Sequence, residues 1–327
     1  MMSLCKFGDH APSYNHTTKL CESQRVIFAA IRCMFFGTLS LSVLLHAQGS
    51  PITLAYQLTH SETLDPSLSP DSKRMVYITV IAGKEQLFAV NLDGSDPKQL
   101  TRDDADHEDP AWSPDGKKVA FVLIAGAIEQ IQLMNVDGSG VEPLTPKEMR
   151  TIHPNWSPDS TKVAYCTDDD LKPPKKNDSD IYVIDVASKR VHKIITGGVN
   201  TYPAWSPDGK RIAFRRMLGE SNSEVFIANG DGSNPVNLTN NPAFDGWPSW
   251  SLDGKSIAFA SNRNRNYEIY IMDPDGKNVR KVANTEGRAT APKWAKDGKT
   301  LYFPICKKVD FKFDCEIYAA KLDAYAR

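Results

Sequence analysis

The sequence predicts an all-β fold, a six-bladed β-propeller with four antiparallel strands in each blade. Three observations support this: a short motif recurs six times, its copies are evenly spaced, and turn residues separate the short β-rich segments between them. Two copies, residues 112–116 and 205–209, read W-S-P-D-G in full. A repeat of about 40–50 residues is typical of propellers and solenoids, and four short strands form one propeller blade.

The motif accounts for the first hairpin of each blade. Its other copies begin at Leu68, Trp156, Trp250 and Trp294, so that consecutive copies are 44, 44, 49, 45 and 44 residues apart. Proline presets the backbone of a turn, aspartate can bond its own backbone, and glycine accepts a left-handed conformation. We therefore expect a type I turn followed by a left-handed residue, joining the first strand to the second. The tryptophan that ends the first strand offers a large apolar surface to bury.

The rest of each repeat predicts two further strands. A third β-rich segment and an Asp-Gly turn come next, and a short fourth strand ends in Leu-Thr at 100–101, 144–145 and 238–239. Residues 57–59, Gln-Leu-Thr, match the end of a fourth strand, whereas the last repeat stops after its third strand, near Leu322. We expect the N-terminal strand to join the last blade and close the ring, which leaves only short edges.

The first 47 residues predict a leader for export. An apolar run covers residues 34–45, Arg25 and Arg32 precede it, and Ala47 follows it, which is the pattern of a secretory signal peptide. We expect cleavage after Ala47. One alternative is an uncleaved membrane anchor over residues 26–45, which is long enough to span a bilayer although it contains Arg32. The other alternative is that the segment is neither a signal peptide nor a membrane anchor. Contact with a membrane is expected only through such an anchor.

Residues 48–327 are predicted to form one propeller domain. The whole chain of 327 residues is 41% hydrophobic and 24% charged, with a formal net charge of −1, which is ordinary for a globular protein. Residues 1–47 hold four basic and two acidic residues, so the remainder has a net charge of −3. A nucleic-acid surface would be basic, and we therefore expect no nucleic-acid partner.

Two insertions depart from the repeat. Residues 167–180 form a long polar loop, read either as a solvated loop or as a metal site at residues 168–170, which are all Asp. Cys306 and Cys315 flank the loop between the second and third strands of the last blade. In an exported protein they could form a disulfide, but sequence does not give their separation, so two free thiols are the alternative. Cys166 is expected to be unpaired and buried at a strand end.

Together these motifs resemble the TolB-type six-bladed propeller, built from WD40-like PD40 repeats. The pattern P-x-W-S-P-D-G-x-x-I-A-F, then I-Y-x-M-x-x-D-G, then L-T, covers residues 51–324, and the fifth blade, 249–272, is most similar to it. The resemblance implies a periplasmic protein that binds the lipoprotein Pal of the Tol-Pal envelope system. TolB proteins also carry an N-terminal α/β domain, which we expect this chain to lack.

The resemblance places a partner at the channel mouth, near the residues just before each first strand. We call the first residue of each motif copy, a leucine or a tryptophan, its anchor. Three positions before each anchor, the residue differs from blade to blade, while the anchors hardly vary. Aromatic residues and arginine are enriched at binding hot spots, and the alternative is that these are ordinary rim residues. Neighbours of this set are His107, Glu108, Phe244 and Asp245, and Ala291 takes the position in the last blade. The predicted partner-binding residues are Asp65, His107, Asp109, His153, Tyr202, Trp247, Arg263, Arg265 and Tyr267.

The sequence predicts a binding module rather than an enzyme, with no catalytic residue, cofactor or metal site. It has no Gly-x-Ser-x-Gly motif, which rules out one hydrolase type. We expect a periplasmic monomer that binds a Pal-like lipoprotein or a peptide segment of one. The alternative is a metal-dependent polysaccharide lyase or a carbohydrate-binding propeller, although four histidines beyond residue 47 are few for a histidine-rich metal site. Asp65 and Asp109 could also hold a cation such as calcium.

Overall fold

Six β-sheets follow one another along the chain in a computed structural model that describes residues 52–57, 63–167, 178–309 and 312–322. Each of the first five sheets has four antiparallel strands in sequence order, so the predicted six-bladed architecture is confirmed. The predicted leader and the three consecutive aspartates at 168–170 lie outside the described residues. No helix in the described segments is long and apolar enough to cross a membrane.

Blades 1 to 3 contain strands β2 to β13. Blade 1 consists of β2 (Thr63–Leu68), β3 (Arg74–Ile81), β4 (Lys84–Asn91) and β5 (Lys98–Gln99). Blade 2 consists of β6 (Asp106–Trp112), β7 (Lys118–Ala125), β8 (Ile128–Asn135) and β9 (Glu142–Pro143). Blade 3 consists of β10 (Thr151–Trp156), β11 (Lys162–Thr167), β12 (Ile181–Asp185) and β13 (Val191–Ile195).

Blades 4 to 6 contain the remaining strands. Blade 4 consists of β14 (Asn200–Trp205), β15 (Arg211–Met217), β16 (Ser223–Asn229) and β17 (Val236–Asn237). Blade 5 consists of β18 (Asp245–Trp250), β19 (Ile257–Ser261), β20 (Glu268–Met272) and β21 (Arg280–Lys281). Blade 6 consists of β22 (Arg288–Ala289), β23 (Lys293–Trp294), β24 (Thr300–Val309), β25 (Lys312–Leu322) and the N-terminal strand β1 (Ile52–Gln57).

The two ends of the chain meet in blade 6. Strand β1 pairs antiparallel with β25, from Ile52 opposite Leu322 to Gln57 opposite Tyr318. The first strands of neighbouring blades contact one another in ring order, and β23 of blade 6 contacts β2 of blade 1. The first strands therefore surround the central channel.

In blades 1, 2 and 4, Leu and Thr follow the fourth strand instead of ending it as predicted. The fourth strands of blades 1, 2 and 4 are only two residues long. In blade 1, the Thr101 hydroxyl accepts a hydrogen bond from the backbone N–H of Leu87 at 2.9 Å, and Leu100 N–H donates to the Leu87 carbonyl at 2.8 Å. The threonine side chain thus replaces a backbone carbonyl and ends the ladder with its donors satisfied.

The Ser-Pro-Asp-Gly turn forms as the motif predicts. In blade 2 the Ser113 hydroxyl donates to Asp115 at 2.6 Å and accepts from the Lys118 N–H at 2.9 Å, and Gly116 has φ of 76°. Two copies carry serine instead of this glycine and keep the left-handed conformation: Ser72 has φ of 53° and Ser160 has φ of 60°.

The hydroxyl groups of those two serines accept hydrogen bonds from neighbouring blades. The Ser160 hydroxyl accepts from the Asp115 N–H at 3.0 Å, and the Ser72 hydroxyl accepts from the Lys296 N–H at 2.7 Å. The second bond joins blade 6 to blade 1, as does the buried contact of Ile317 with Met75 and its neighbours. The departure from glycine therefore gives the ring two additional links between blades.

Cys306 and Cys315 form a disulfide across β24 and β25, with their Cα atoms 4.0 Å apart. The two residues are direct cross-strand partners, so the alternative of two free thiols is not found. Cys166 is a buried thiol near the end of β11, as predicted, with its sulfur 3.1 Å from Nδ1 of His153.

The anchor tryptophans join each blade to the one before it. Trp156 is 6% exposed, and its indole N–H donates to the Ala111 carbonyl of blade 2 at 2.9 Å. Trp294 donates in the same way to Ser249 of blade 5 at 3.1 Å. Trp250 is 7% exposed, yet its indole nitrogen has no hydrogen-bond partner among the described residues. Trp156 and Trp250 are thus about equally buried, but they differ by one hydrogen bond.

We expect Trp156→Phe to lower the free energy of unfolding by about 1 kcal/mol more than Trp250→Phe, because only Trp156 loses a buried hydrogen bond and leaves a carbonyl without its donor. Urea unfolding of both variants measures the difference. Equal losses would show that the Trp156 bond adds nothing to the blade contact.

Candidate functional site

One residue in each first strand has a left-handed backbone, and it is the predicted variable position. In blades 1 to 5 the pairing register shifts there, which marks a β-bulge, and in blade 6 the strand is interrupted there, between β22 and β23. A buried proline follows each of these residues and needs no ladder partner at a bulge. The six residues are Asp65 (φ 44°), Asp109 (49°), His153 (54°), Tyr202 (53°), Trp247 (53°) and Ala291 (45°). We call this set the mouth.

The left-handed conformation costs backbone energy at every mouth position. A non-glycine residue there loses roughly 1–2 kcal/mol through the close approach of Cβ and the carbonyl oxygen. Glycine would adopt the conformation freely, yet no blade has glycine at this position. Strained residues of this kind concentrate at binding sites, and a bulge re-aims the side chain that it carries.

Aromatic rings form a continuous wall on one side of the mouth. The ring centroids of His153 and Tyr202 are 3.7 Å apart, and those of Tyr202 and Trp247 are 5.4 Å apart. Phe244 and Tyr267 extend the wall, with centroids 5.0 Å and 6.1 Å from that of Trp247. We call these five residues the aromatic wall. The Arg288 guanidinium lies 4.2 Å from the ring centre of Tyr267, a distance suited to a cation–π contact.

Carboxyl groups form the opposite side, on blades 1 and 2. Burial raises the pKa of Asp109 to about 7, and repulsion from Asp65 adds to the effect. Burial likewise raises the pKa of Asp65, while Lys293 opposes the rise. Burial and the neighbouring Glu85 hold the pKa of Glu108 well above its usual range. We call Asp65, Glu85, Glu108 and Asp109 the acidic side.

Asp109 and His153 connect the two sides. The backbone N–H of His153 donates to Oδ2 of Asp109 at 3.1 Å, and the His153 Nε2 atom is 3.8 Å from the same oxygen. Lys293 is half-buried one position before the last anchor, where burial lowers its pKa against the attraction of Asp65 and Asp109. The mouth therefore has a carboxyl-rich half and an apolar aromatic half.

His107, although predicted for the mouth, lies apart from it. Its side chain is 2% exposed, its ring centroid is 5.6 Å from that of Phe121, and its Nε2 atom is 3.4 Å from a carboxylate oxygen of Asp103. Burial lowers its pKa. Because side chains alternate along a strand, His107 faces away from the side taken by Glu108.

Both predicted arginines also lie apart from the mouth. Arg263 places Nη2 3.1 Å from both carboxylate oxygens of the buried Asp245 and donates from Nε to Ser261 at 2.9 Å. Arg265 is exposed in the turn after β19, with φ of 77°. The predicted residues that the structure brings together are Asp65, Asp109, His153, Tyr202, Trp247 and Tyr267.

The sequence reasoning missed Glu85, Arg215, Arg288 and Lys293. A comparison of the repeats at positions other than the variable one would have found two of them. The residue before each anchor is Ser67, Ala111, Asn155, Ala204, Ser249 and Lys293, and only the last is charged. Glu85 lies on β4 and Arg288 at the start of the interrupted first strand of blade 6, away from the positions just before the anchors.

A concave region lies elsewhere on the ring. A groove of about 880 Å³ between blades 5 and 6 is lined by Lys255, Asp273, Arg280, Lys281 and other residues near the Asp-Gly turns. It is open and polar, and the strained mouth residues do not line it. Within the described segments, no group of three or more His, Cys, Asp or Glu side chains is arranged to hold a metal ion.

The chain belongs to the TolB beta propeller domain family (PD40), whose pattern matches residues 55–166 and 123–322. No curated protein matches the sequence. A putative TolB from Agrobacterium tumefaciens is 25% identical, with a TM-score of 0.60 over 68% of this chain and 80% of that one. TolB from Acinetobacter baumannii is 22% identical, with a TM-score of 0.62 over 76% of this chain, which spans 64% of that protein.

Enzymes share this fold, and the prediction that the chain is not an enzyme is wrong. An oligogalacturonate lyase in complex with manganese has a TM-score of 0.58 at 14% identity, over 82% of this chain and 93% of that one. Prolyl endopeptidases and a puromycin-hydrolyzing peptidase also match. A propeller is a scaffold on which different sites occur, so the missing hydrolase motif did not justify the exclusion.

The backbone strain at the mouth can be tested at Ala291, because its substitution removes neither an aromatic side chain nor a charge. We expect Ala291→Gly to cost about 1–2 kcal/mol less than Ala289→Gly, because relief of the left-handed backbone offsets the loss of a methyl group at residue 291 alone. Both alanines are buried in the same stretch of blade 6. Thermal or urea unfolding measures the pair, and equal costs would show that residue 291 is unstrained.

Asp109 should make the protein less stable as the pH rises. Its pKa is about 7 in the folded state and about 4 in the unfolded chain, so the folded state binds more protons between these values. The stability due to protonated Asp109 is complete below pH 4 and is lost as the pH rises through 7. We expect Asp109→Asn to flatten this dependence and raise the free energy of unfolding at pH 8, by roughly 4 kcal/mol at most.

Asp208→Asn is the control with the opposite sign. The Ser206 hydroxyl lowers the pKa of Asp208 in its turn, so its contribution is present at neutral pH and lost in acid. Urea unfolding at several pH values measures both variants. If Asp109→Asn destabilised the protein equally at pH 5 and pH 8, the buried carboxyl would not be responsible.

Proposed function

We propose that this propeller is a protein-binding module that holds a segment of its partner at the mouth. The observation that carries the proposal is the aromatic wall, three of whose residues, His153, Tyr202 and Trp247, are kept in a strained backbone conformation. Rigid aromatic side chains bury large areas with little loss of conformational freedom. The wall suits an apolar side chain of the partner, and the acidic side suits its backbone N–H groups or a basic residue.

The proposed partner is a lipoprotein of the Pal type, or a peptide segment of one, in the periplasm. Membership of the TolB beta propeller domain family supports this choice, and so does the predicted leader at residues 1–47. The partner-binding residues are those that the structure brings together: Asp65, Asp109, His153, Tyr202, Trp247 and Tyr267.

A pull-down from the organism's own envelope extract tests the proposal, with bound proteins identified by mass spectrometry. We expect the wild-type protein to retain a Pal-type lipoprotein, and the double variant Tyr202→Ala with Trp247→Ala to lose it at least tenfold, because hot-spot aromatic residues contribute about 2 kcal/mol or more each. Alanine already occupies the equivalent left-handed position in blade 6, at residue 291, so the backbone should tolerate both changes.

Tyr182→Ala is the matched control, because it removes an aromatic ring on β12 that stacks on Tyr165 and lies outside the aromatic wall. It should keep the lipoprotein. Equal retention by the double variant would exclude the mouth as the binding site. If no lipoprotein bound to the wild-type protein, while oligogalacturonate was bound or cleaved, the lyase alternative would replace this proposal.

A further inference from the structure

One position breaks the repeat inside the blade core. The residue ten positions after each anchor lies on the second strand, and in every blade it is buried. Five of the six residues there are small or apolar, as a contact between blades requires. Blade 4 alone has a charged residue: the series is Ile78, Val122, Cys166, Arg215, Ala260 and Pro304.

Arg215 lies between blades 4 and 5, beside the mouth. It is 5% exposed, and its guanidinium carbon is 5.0 Å from the ring centre of Tyr202 and 5.2 Å from that of Phe244. Its Nε donates to the Thr201 hydroxyl at 2.8 Å. The guanidinium therefore lies between two rings of the aromatic wall.

Blade 5 has a matching departure that makes room for this side chain. Gly246 stands directly before the mouth residue of blade 5, where the other blades have Leu64, Glu108, Ile152, Thr201 and Thr290. A Cβ atom on Gly246 would lie 2.9 Å from Cδ of Arg215, closer than van der Waals contact allows. Glycine in one blade and arginine in the next thus fit one another.

The charge of Arg215 has no counter-ion within the described part of the chain. Guanidinium has five N–H donors, and only Nε has a hydrogen-bond partner among the described residues. No described carboxylate forms an ion pair with it, whereas Arg263 in blade 5 binds Asp245 through Nη2. A buried cation is unfavourable unless it is paired, and aromatic faces compensate only part of that loss.

We propose that Arg215 is a carboxylate-binding group of the mouth and that the bound peptide segment presents an Asp or Glu side chain to it, beside an apolar residue that packs on the aromatic wall. This rests on the proposed function, because it defines the chemistry of a segment bound there. Guanidinium and carboxylate form short, charge-assisted hydrogen bonds, often two in parallel. A peptide is favoured over an acidic sugar because neighbouring rings of the wall are inclined by 31° to 72° and so do not form one continuous flat surface on which a chain of sugar rings could stack.

The test compares two small probes of the same shape, N-acetylphenylalanine and N-acetylphenylalaninamide, by calorimetric or NMR titration of the protein expressed from the full sequence. The first probe carries the carboxylate and the second does not. We expect the acid to bind at least about tenfold more tightly than the amide, because one buried charge-assisted pair is lost in the amide. Equal binding, or no binding of the acid up to ~20 mM, would overturn the proposal.

Variants at residue 215 assign the preference to Arg215. Arg215→Met keeps much of the buried stem and should abolish the preference for the acid. Arg215→Lys keeps the charge but not the planar fork and should weaken it severalfold. Arg216→Met is the matched control, because Arg216 is the next residue on β15 and lies over Phe214 and Phe226 instead. If Arg215→Met does not fold, Arg215→Lys decides, and an unchanged preference in either variant would overturn the proposal.

Two further outcomes separate the possible ligands. Tighter binding of galacturonate than of N-acetylphenylalanine would overturn the peptide assignment and indicate an acidic sugar. The wild-type protein could retain no lipoprotein and still prefer N-acetylphenylalanine to its amide. That result would refute the proposed partner but leave Arg215 as a carboxylate site. The probe titration needs no partner protein, so the two proposals fail independently.

Discussion

Each blade bends its innermost strand at one residue with a left-handed backbone, and both the ring and the mouth depend on that bend. Before it the strand pairs in one register with the second strand, and after it the register has shifted. The shifted part carries the anchor tryptophan, which reaches back to the previous blade, as Trp156 does to Ala111. The bend requires a backbone conformation and a following proline but no particular side chain. The six side chains are therefore free to vary, and the mouth can acquire specificity without disturbing the ring.

The sequence was sufficient for the fold because the signals for each blade are local. The period, the Ser-Pro-Asp-Gly hairpin and the order of strands all follow from residues close together in the chain. Side-chain direction is less accessible, because a shift of one residue moves a side chain to the other face of a strand. His107 and Arg263 are near the mouth in sequence, but they face the loop after β5 and the interior of blade 5. Arg215 and Lys293 were missed because only the variable position before the anchors was compared between blades.

Burial gives the mouth much of its chemical character. Burial raises the pKa of all four residues of the acidic side, Asp65, Glu85, Glu108 and Asp109, so each holds its proton to a higher pH than an exposed carboxyl group does. Arg215 and Lys293 bring cations into the same poorly solvated region. A ring selected for stability alone would have neither the strained residues nor the buried charges. The presence of both indicates that the mouth is selected for binding or chemistry at a cost in stability.

Arg215 and Gly246 show how a repeat protein reveals its site without any comparison to relatives. Six copies of one scaffold in a single chain define what each position requires for packing. A departure in one copy has a structural explanation when the new side chain contacts a neighbouring blade, as Ser160 does when its hydroxyl accepts a hydrogen bond from the Asp115 N–H. Gly246 compensates for the volume of Arg215, but no carboxylate of the described residues pairs with its charge. Among the residues that the structure describes, volume is thus matched while charge is not, and a ligand carboxylate is the group that would complete the pair.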